Sequence, residues 1–232
     1  MTTYLPEPGW RYADFFAIFV AMIGGAFLGA VVLFIAVPGD ASGTEQLAYL
    51  AGGQFLGAFG FMVFYGRRRA SGSLTTDYGL RVRFEDIWAL FLGIGAALAL
   101  ALLVAVVFDW LGIDPEEQGV VELVRDSPGV VGGIVVVLVV VMVAPIVEEM
   151  LFRGVLLAAL MRRFGSTPAV LMSGAAFALS HLTDPDAVFA VPALFVLGVL
   201  FGYLAVSTGD LSRAIYAHMG VNALAVVQLF VA

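Results

Sequence analysis

The 232-residue chain is 62% apolar and only 12% charged, with a mean hydropathy of +1.03. Soluble domains are nearer half apolar and a quarter charged, so this composition excludes an ordinary soluble enzyme and specifies a membrane protein. Cys is absent and the net charge is -7, which excludes disulfides, Cys-ligated zinc, a thiol nucleophile and a basic nucleic-acid surface.

Crossing ~30 Å of hydrocarbon takes about 20 residues of helix. The apolar runs predict an all-α, polytopic bundle of about seven crossings: 15–37, 47–65, 87–108, 129–161, 168–182, 188–206 and 211–232. The first is too long for a signal-peptide core and is kept as a helix. Gly25 with Gly29, and Gly53 with Gly57, stand one turn apart and suit close helix packing. The fourth run is over-long, and the fifth is short and rich in small residues. One structural domain is expected, with residues 1–128 as a three-helix membrane region and 129–232 as a four-helix core.

Arginine positions predict the orientation, because cytoplasmic loops carry the excess of basic residues. With the N-terminus inside, Arg11, Arg67, Arg68, Arg69, Arg81, Arg83, Arg162, Arg163 and Arg213 are cytoplasmic, and the C-terminus is outside. The opposite side holds Arg125 among acids such as Asp114, Glu116, Glu117, Asp184 and Asp186. Every basic residue is Arg, a bias of GC-rich genomes, so a bacterial plasma membrane is the expected location.

The fourth run contains PIVEEMLFRG, with Glu148, Glu149 and Arg153 inside an apolar helix. Ionised groups in hydrocarbon are costly and normally face protein or a wet cavity. Glu149 and Arg153 are four apart, acid first, the favourable helical pairing. Glu148 points about 100° away and is left available. The two histidines, His181 and His218, also fall in predicted spans. Glu148 and His181 lie about 22 Å along their helices from the same hairpin turn near Phe164 and Gly165, so they are expected to face each other. Phe177 shares a face with His181, and Asn222 with His218. His218 and Asn222 start nearer the cytoplasm, and their convergence with Glu148 calls for tilt or a broken helix.

VEEMLFR (147–153) contains EExxxR, FALSH (177–181) is FxxxH, and HMGVN (218–222) is HxxxN. In this order, on successive late helices, they resemble the CPBP family of CAAX prenyl proteases and bacteriocin-processing enzymes. The motifs span roughly 129–224; the first three helices match in hydropathy alone. The resemblance implies an intramembrane endopeptidase acting on hydrophobic or lipidated, CAAX-like peptides in the bilayer. It implies Glu148 as general base for a water held with His181, and His218 with Asn222 as oxyanion donors. Glu149, Arg153 and Phe177 would be structural supports. It leaves two chemistries open, a metal-independent glutamate protease or a divalent-metal (zinc) enzyme with Glu148, His181, His218 and Asn222 as ligands. The HExxH spacing is missing.

Three rival readings differ in chemistry. A proton-coupled transporter or channel would use Glu148, His181 and His218 as a relay. A scaffold or immunity protein would keep the fold without catalysis. A Ser–His dyad would use Ser173 with His218, although Leu171 stands where the GxSG pattern needs its first Gly.

Overall fold

The computed structural model describes residues 6, 9–37, 39–112, 125–127 and 129–231. Asp114, Glu116, Glu117, the boundary at 128 and Ala232 lie outside the described residues, as does the side chain of Asp186.

The described residues form eight helices and no strand: α1 (Tyr12–Ala36), α2 (Gly43–Arg69), α3 (Leu74–Tyr78), α4 (Trp88–Leu111), α5 (Gly129–Phe164), α6 (Ser166–Ser180), α7 (Val191–Thr208) and α8 (Ser212–Val231). Five stretches are long and apolar enough to cross a membrane: α1, α2, Phe84–Leu111 containing α4, α5, and Ala187–Thr208 containing α7. α6 and α8 complete the seven predicted runs, and the molecule is an all-α polytopic membrane protein. α6 has only 15 residues, so it extends about 22 Å and then gives way to 3₁₀ turns over His181–Thr183 and Pro185–Ala190. His181 therefore lies just past the helix, not within it.

α1 pairs with α2, α4 with α8, and α6 with α7, while α5 sits among them. The first pair is held by backbone proximity. A Cβ on Gly25 would overlap the Gly53 carbonyl, one on Gly29 the Tyr49 carbonyl, and one on Gly57 would come within 2.8 Å of Ala21 O. The glycine spacing in the sequence thus sets a close seam.

α3, absent from the predicted runs, positions the core. Ser73 caps it by accepting from Thr76 N, and Gly79 ends it at φ +73, a conformation that costs glycine little. The α3 segment is driven inward. Tyr78 is buried, donates to Met62 O at 2.7 Å and stacks on Trp10, whose indole N–H donates to Asp77 O. Burial, then the charge of Asp77, holds the Tyr78 phenol protonated well above its ordinary range.

Gly154 of α5 leaves room for the Tyr78 carbonyl, and Leu211 N donates to Gly79 O just before α8 begins. α8 therefore starts inside the bundle, level with Gly154. Counting about six residues along each antiparallel helix from that level reaches Glu148 on α5 and His218 on α8. The convergence expected to need tilt or a break is achieved instead by an inserted segment under an unbroken α8.

The Arg-rich ends of the helices meet in one polar layer. Arg69 pairs with Asp14 at 3.3 Å, Arg83 with Asp210 at 3.0 Å and Arg213 with Asp86 at 2.8 Å. Arg162 donates to Trp10 O and Pro6 O.

Candidate active site

α5 departs from regular geometry on both sides of Glu148 and Glu149, widening into π-helical turns over Val137–Val143 and Met150–Leu157, the second of which carries Arg153. Such turns are rare and tend to occur at functional sites. Ala144 N donates to Val139 O, five residues back. The next bond in that register would join Pro145 to Val140 O, but proline has no N–H. The freed Val140 carbonyl is satisfied from α8, where Asn222 Nδ2 donates to it at 2.9 Å. Asn222 thus has a structural duty that the sequence reading missed, and the HxxxN spacing alone gives no hint of it. Pro145 is the signal that could have found it.

Glu149 and Arg153 are both fully buried and pair at 2.9 Å as the spacing predicts. Arg153 also donates to Gly198 O of α7 at 2.8 Å, and its guanidinium lies 4.7 Å from the ring centre of Phe177 on α6. One side chain of α5 thereby ties in both helices of the α6–α7 hairpin. Glu149 reaches the fourth core helix, since its Oε1 also accepts from His218 Nδ1 at 3.0 Å. That contact was not foreseen, because the acid was expected to be occupied by Arg153 alone. A carboxylate only accepts here, so Nδ1 carries the proton and Nε2 is turned to the other side.

His218 Nε2 faces Glu148 Oε2 at 3.7 Å. Glu148 keeps a side-chain exposure of 16%, against 0% for Glu149, and this is its one ionic contact among the described residues. The two adjacent acids therefore differ as the helical geometry requires. His218 is stacked on Phe201 at 4.8 Å and set edge-on to Phe177 at 5.5 Å, which fixes its ring plane. His181 Nδ1 lies 2.9 Å from Phe177 O, and since a carbonyl only accepts, the neutral His181 ring keeps Nε2 as an acceptor. Phe177 thus packs against both histidines and under Arg153.

Glu148, His181, His218 and Asn222 line one cavity of about 410 Å³. A second cavity of about 340 Å³ adjoins it and shares Glu148, His181 and Gln54. Gln54 of α2, with Phe19 of α1 and Phe55 of α2, shows that the first helices supply walls to the site. A lone Gln inside the apolar run AGGQFLG was the available signal. Ser173 takes no part in either lining; its hydroxyl is buried and donates to Phe152 O at 3.0 Å.

The residue types match a zinc set, but among the described residues no three His, Asp or Glu side chains are gathered so as to hold a metal ion. His218 Nδ1 and His181 Nδ1 are both committed to protein acceptors. With Nδ1 so held, each Nε2 is the nitrogen that would face a metal beside Glu148, and no step below is routed through one.

A mostly apolar cavity onto which a partly exposed carboxylate and two imidazoles open is an arrangement that can support acid–base chemistry. Residues 130–224 match the family model described as Type II CAAX prenyl endopeptidase Rce1-like. The match covers less than half of the chain and includes all three motifs, so this part of the chain is similar to that family. No curated protein and no solved structure matches the chain.

Proposed function

We propose that the protein is an intramembrane endopeptidase in which Glu148 activates water against a peptide carbonyl of a hydrophobic or lipidated substrate. The family supports CAAX-type endopeptidase activity in general. The observation that carries the finer reading is the cavity itself, which gathers Glu148 from α5, His218 and Asn222 from α8 and His181 from the turn after α6, while Glu149 is held in its ion pair.

In this mechanism a water lies between Glu148 and the free Nε2 of His181. Glu148 takes the water proton as the oxygen attacks the carbonyl carbon. The oxyanion receives hydrogen bonds from His218 Nε2–H and from the Asn222 N–H not used on Val140. Glu148 then returns the proton to the amide nitrogen as the C–N bond breaks, releasing an acid and an amine. With Nδ1–H committed to Glu149, the Nε2–H donor requires His218 in its doubly protonated form. Glu148, Glu149, Arg153 and His218 then sum to zero charge, which limits the cost of burying them. During attack Glu148 becomes neutral as the oxyanion gains a negative charge, so the total is unchanged.

Cleavage of a mixed hydrophobic and lipidated peptide library by purified protein in detergent, read by mass spectrometry, tests this. Wild type should cleave without added metal, and folded Glu148→Gln should lose on the order of 10²–10⁴-fold in rate. Equal cleavage by both would remove Glu148 from the mechanism. Proton-linked flux in vesicles without any cleavage would favour the transporter reading.

A further inference from the structure

The cavity is not placed symmetrically between the two ends of the molecule. Glu148 and Gln54 each lie about 22 Å along their helices from the Arg-rich end, and Ala26 about 21 Å from the start of α1 at that end. Three helices thus give one depth. On the Arg-rich side of that level the interior of the bundle is packed. Phe152, Arg153, Val155, Leu157, Phe177 and Phe201 are all buried there, with Tyr78 wedged beneath them.

On the other side Leu47, Val136 and Val226 still pack α2, α5 and α8 together, and the opening lies between α1 and the α6–α7 hairpin. The α6–α7 hairpin stops at the cavity, whereas α1 continues for about ten residues beyond Ala26. The hairpin tip carries Thr183 and Asp184, which line the smaller cavity beside Glu148 and His181. Thr183 is exposed there, with its hydroxyl turned back to Ser180 O. An apolar groove between α1 and α6 also meets the cavity, at Phe19 and Ser180, but the exposed Phe16 and Leu179 make its walls lipid-facing.

We infer that the site opens to water on the face opposite the Arg-rich end, so that the substrates that reach it through water are peptides exposed outside the cytoplasm. The inference rests on the protease reading for the word substrate and on the arginine asymmetry for the side. Exported hydrophobic peptides and the outer ends of membrane segments present a scissile bond there. A cytoplasmic lipidated tail would instead enter from the bilayer, along the groove that runs from Tyr12 and Arg163 to Phe19 and Ser180.

The absence of cysteine makes the test direct. Single variants Thr183→Cys at the mouth and Thr75→Cys on exposed α3 are labelled in intact cells with a membrane-impermeant maleimide. Thr183→Cys should label at once, and Thr75→Cys should stay at background until the membrane is permeabilised. The reverse pattern, or equal labelling of both, overturns the proposal. In sealed proteoliposomes oriented by the same labels, a hydrophobic peptide library is then supplied to one face at a time. Cleavage by wild type and not by Glu148→Gln should occur only from the Thr183 face, and cleavage only from the Thr75 face overturns the proposal. Expected labelling with no cleavage from either face would remove the protease reading, and the substrate class with it, while leaving the position of the mouth established.

Discussion

The α1–α2 pair and the α5–α8 core are both packed helices, yet they are held together in opposite ways. α1 and α2 meet where side chains are missing, with Gly25, Gly29, Gly53 and Gly57 bringing two backbones into contact. The core meets around charged side chains that are present, with Arg153, Glu149 and His218 joining α5 to its neighbours. Between apolar helices in lipid there is little hydrophobic driving force, so association rests on close packing or on polar contacts. The protein uses one in each region. The first should therefore be broken by adding atoms, and the second by removing them.

Removing Glu149 should have the largest effect. In Glu149→Ala, Arg153 keeps its bond to Gly198 O but loses its counter-charge, and His218 loses the acceptor that fixes its ring. Truncating one partner of a buried ion pair costs about 3–5 kcal/mol. The expected outcome is a collapse in folded yield and in the thermal midpoint in detergent. Glu148→Gln, whose side chain is partly exposed and whose one ionic contact is the 3.7 Å approach to His218, should fold like wild type. Equal yields for the two variants would sink the division of labour between the adjacent acids.

Adding one methyl to the α1–α2 seam should come next. Gly25→Ala puts a Cβ onto the Gly53 carbonyl, and overpacking of this sort costs about 1–3 kcal/mol. Gly24→Ala is its control, because a Cβ there meets open space. That variant should be neutral or slightly stabilised, since helical Gly→Ala favours the folded chain by about 0.5–1 kcal/mol. If both glycines respond alike in thermal unfolding, the seam is not held by backbone contact.

What the sequence revealed follows the same division. Helix runs, the glycine seam and the Glu149–Arg153 pair were legible because they depend on local periods of apolar, small or charged residues. The facing of Glu148 and His181 was legible because both are measured from one hairpin turn. The level of His218 was not, since it depends on α3, a five-residue helix in a stretch of mixed polarity. Nor were the Glu149–His218 bond or the Asn222 cap on Val140 O, which join residues far apart in sequence. Both become intelligible only once a proline inside a π-helical turn and an inserted segment are placed in space.

Ser173 supplies the smallest expected effect and a sharp contrast with Glu148. It lies in the tightly packed part of α6, and its hydroxyl bonds the Phe152 carbonyl on α5, in the core but away from the cavity. Ser173→Ala removes about one neutral hydrogen bond, worth ~0.5–1.5 kcal/mol, and creates almost no void. The thermal midpoint should fall slightly and the rate of peptide cleavage should stay near that of wild type. A serine–histidine dyad predicts the opposite, loss of nearly all turnover with little change in stability. Measuring both quantities on one preparation separates them, because a packing serine changes the first number and a nucleophile the second.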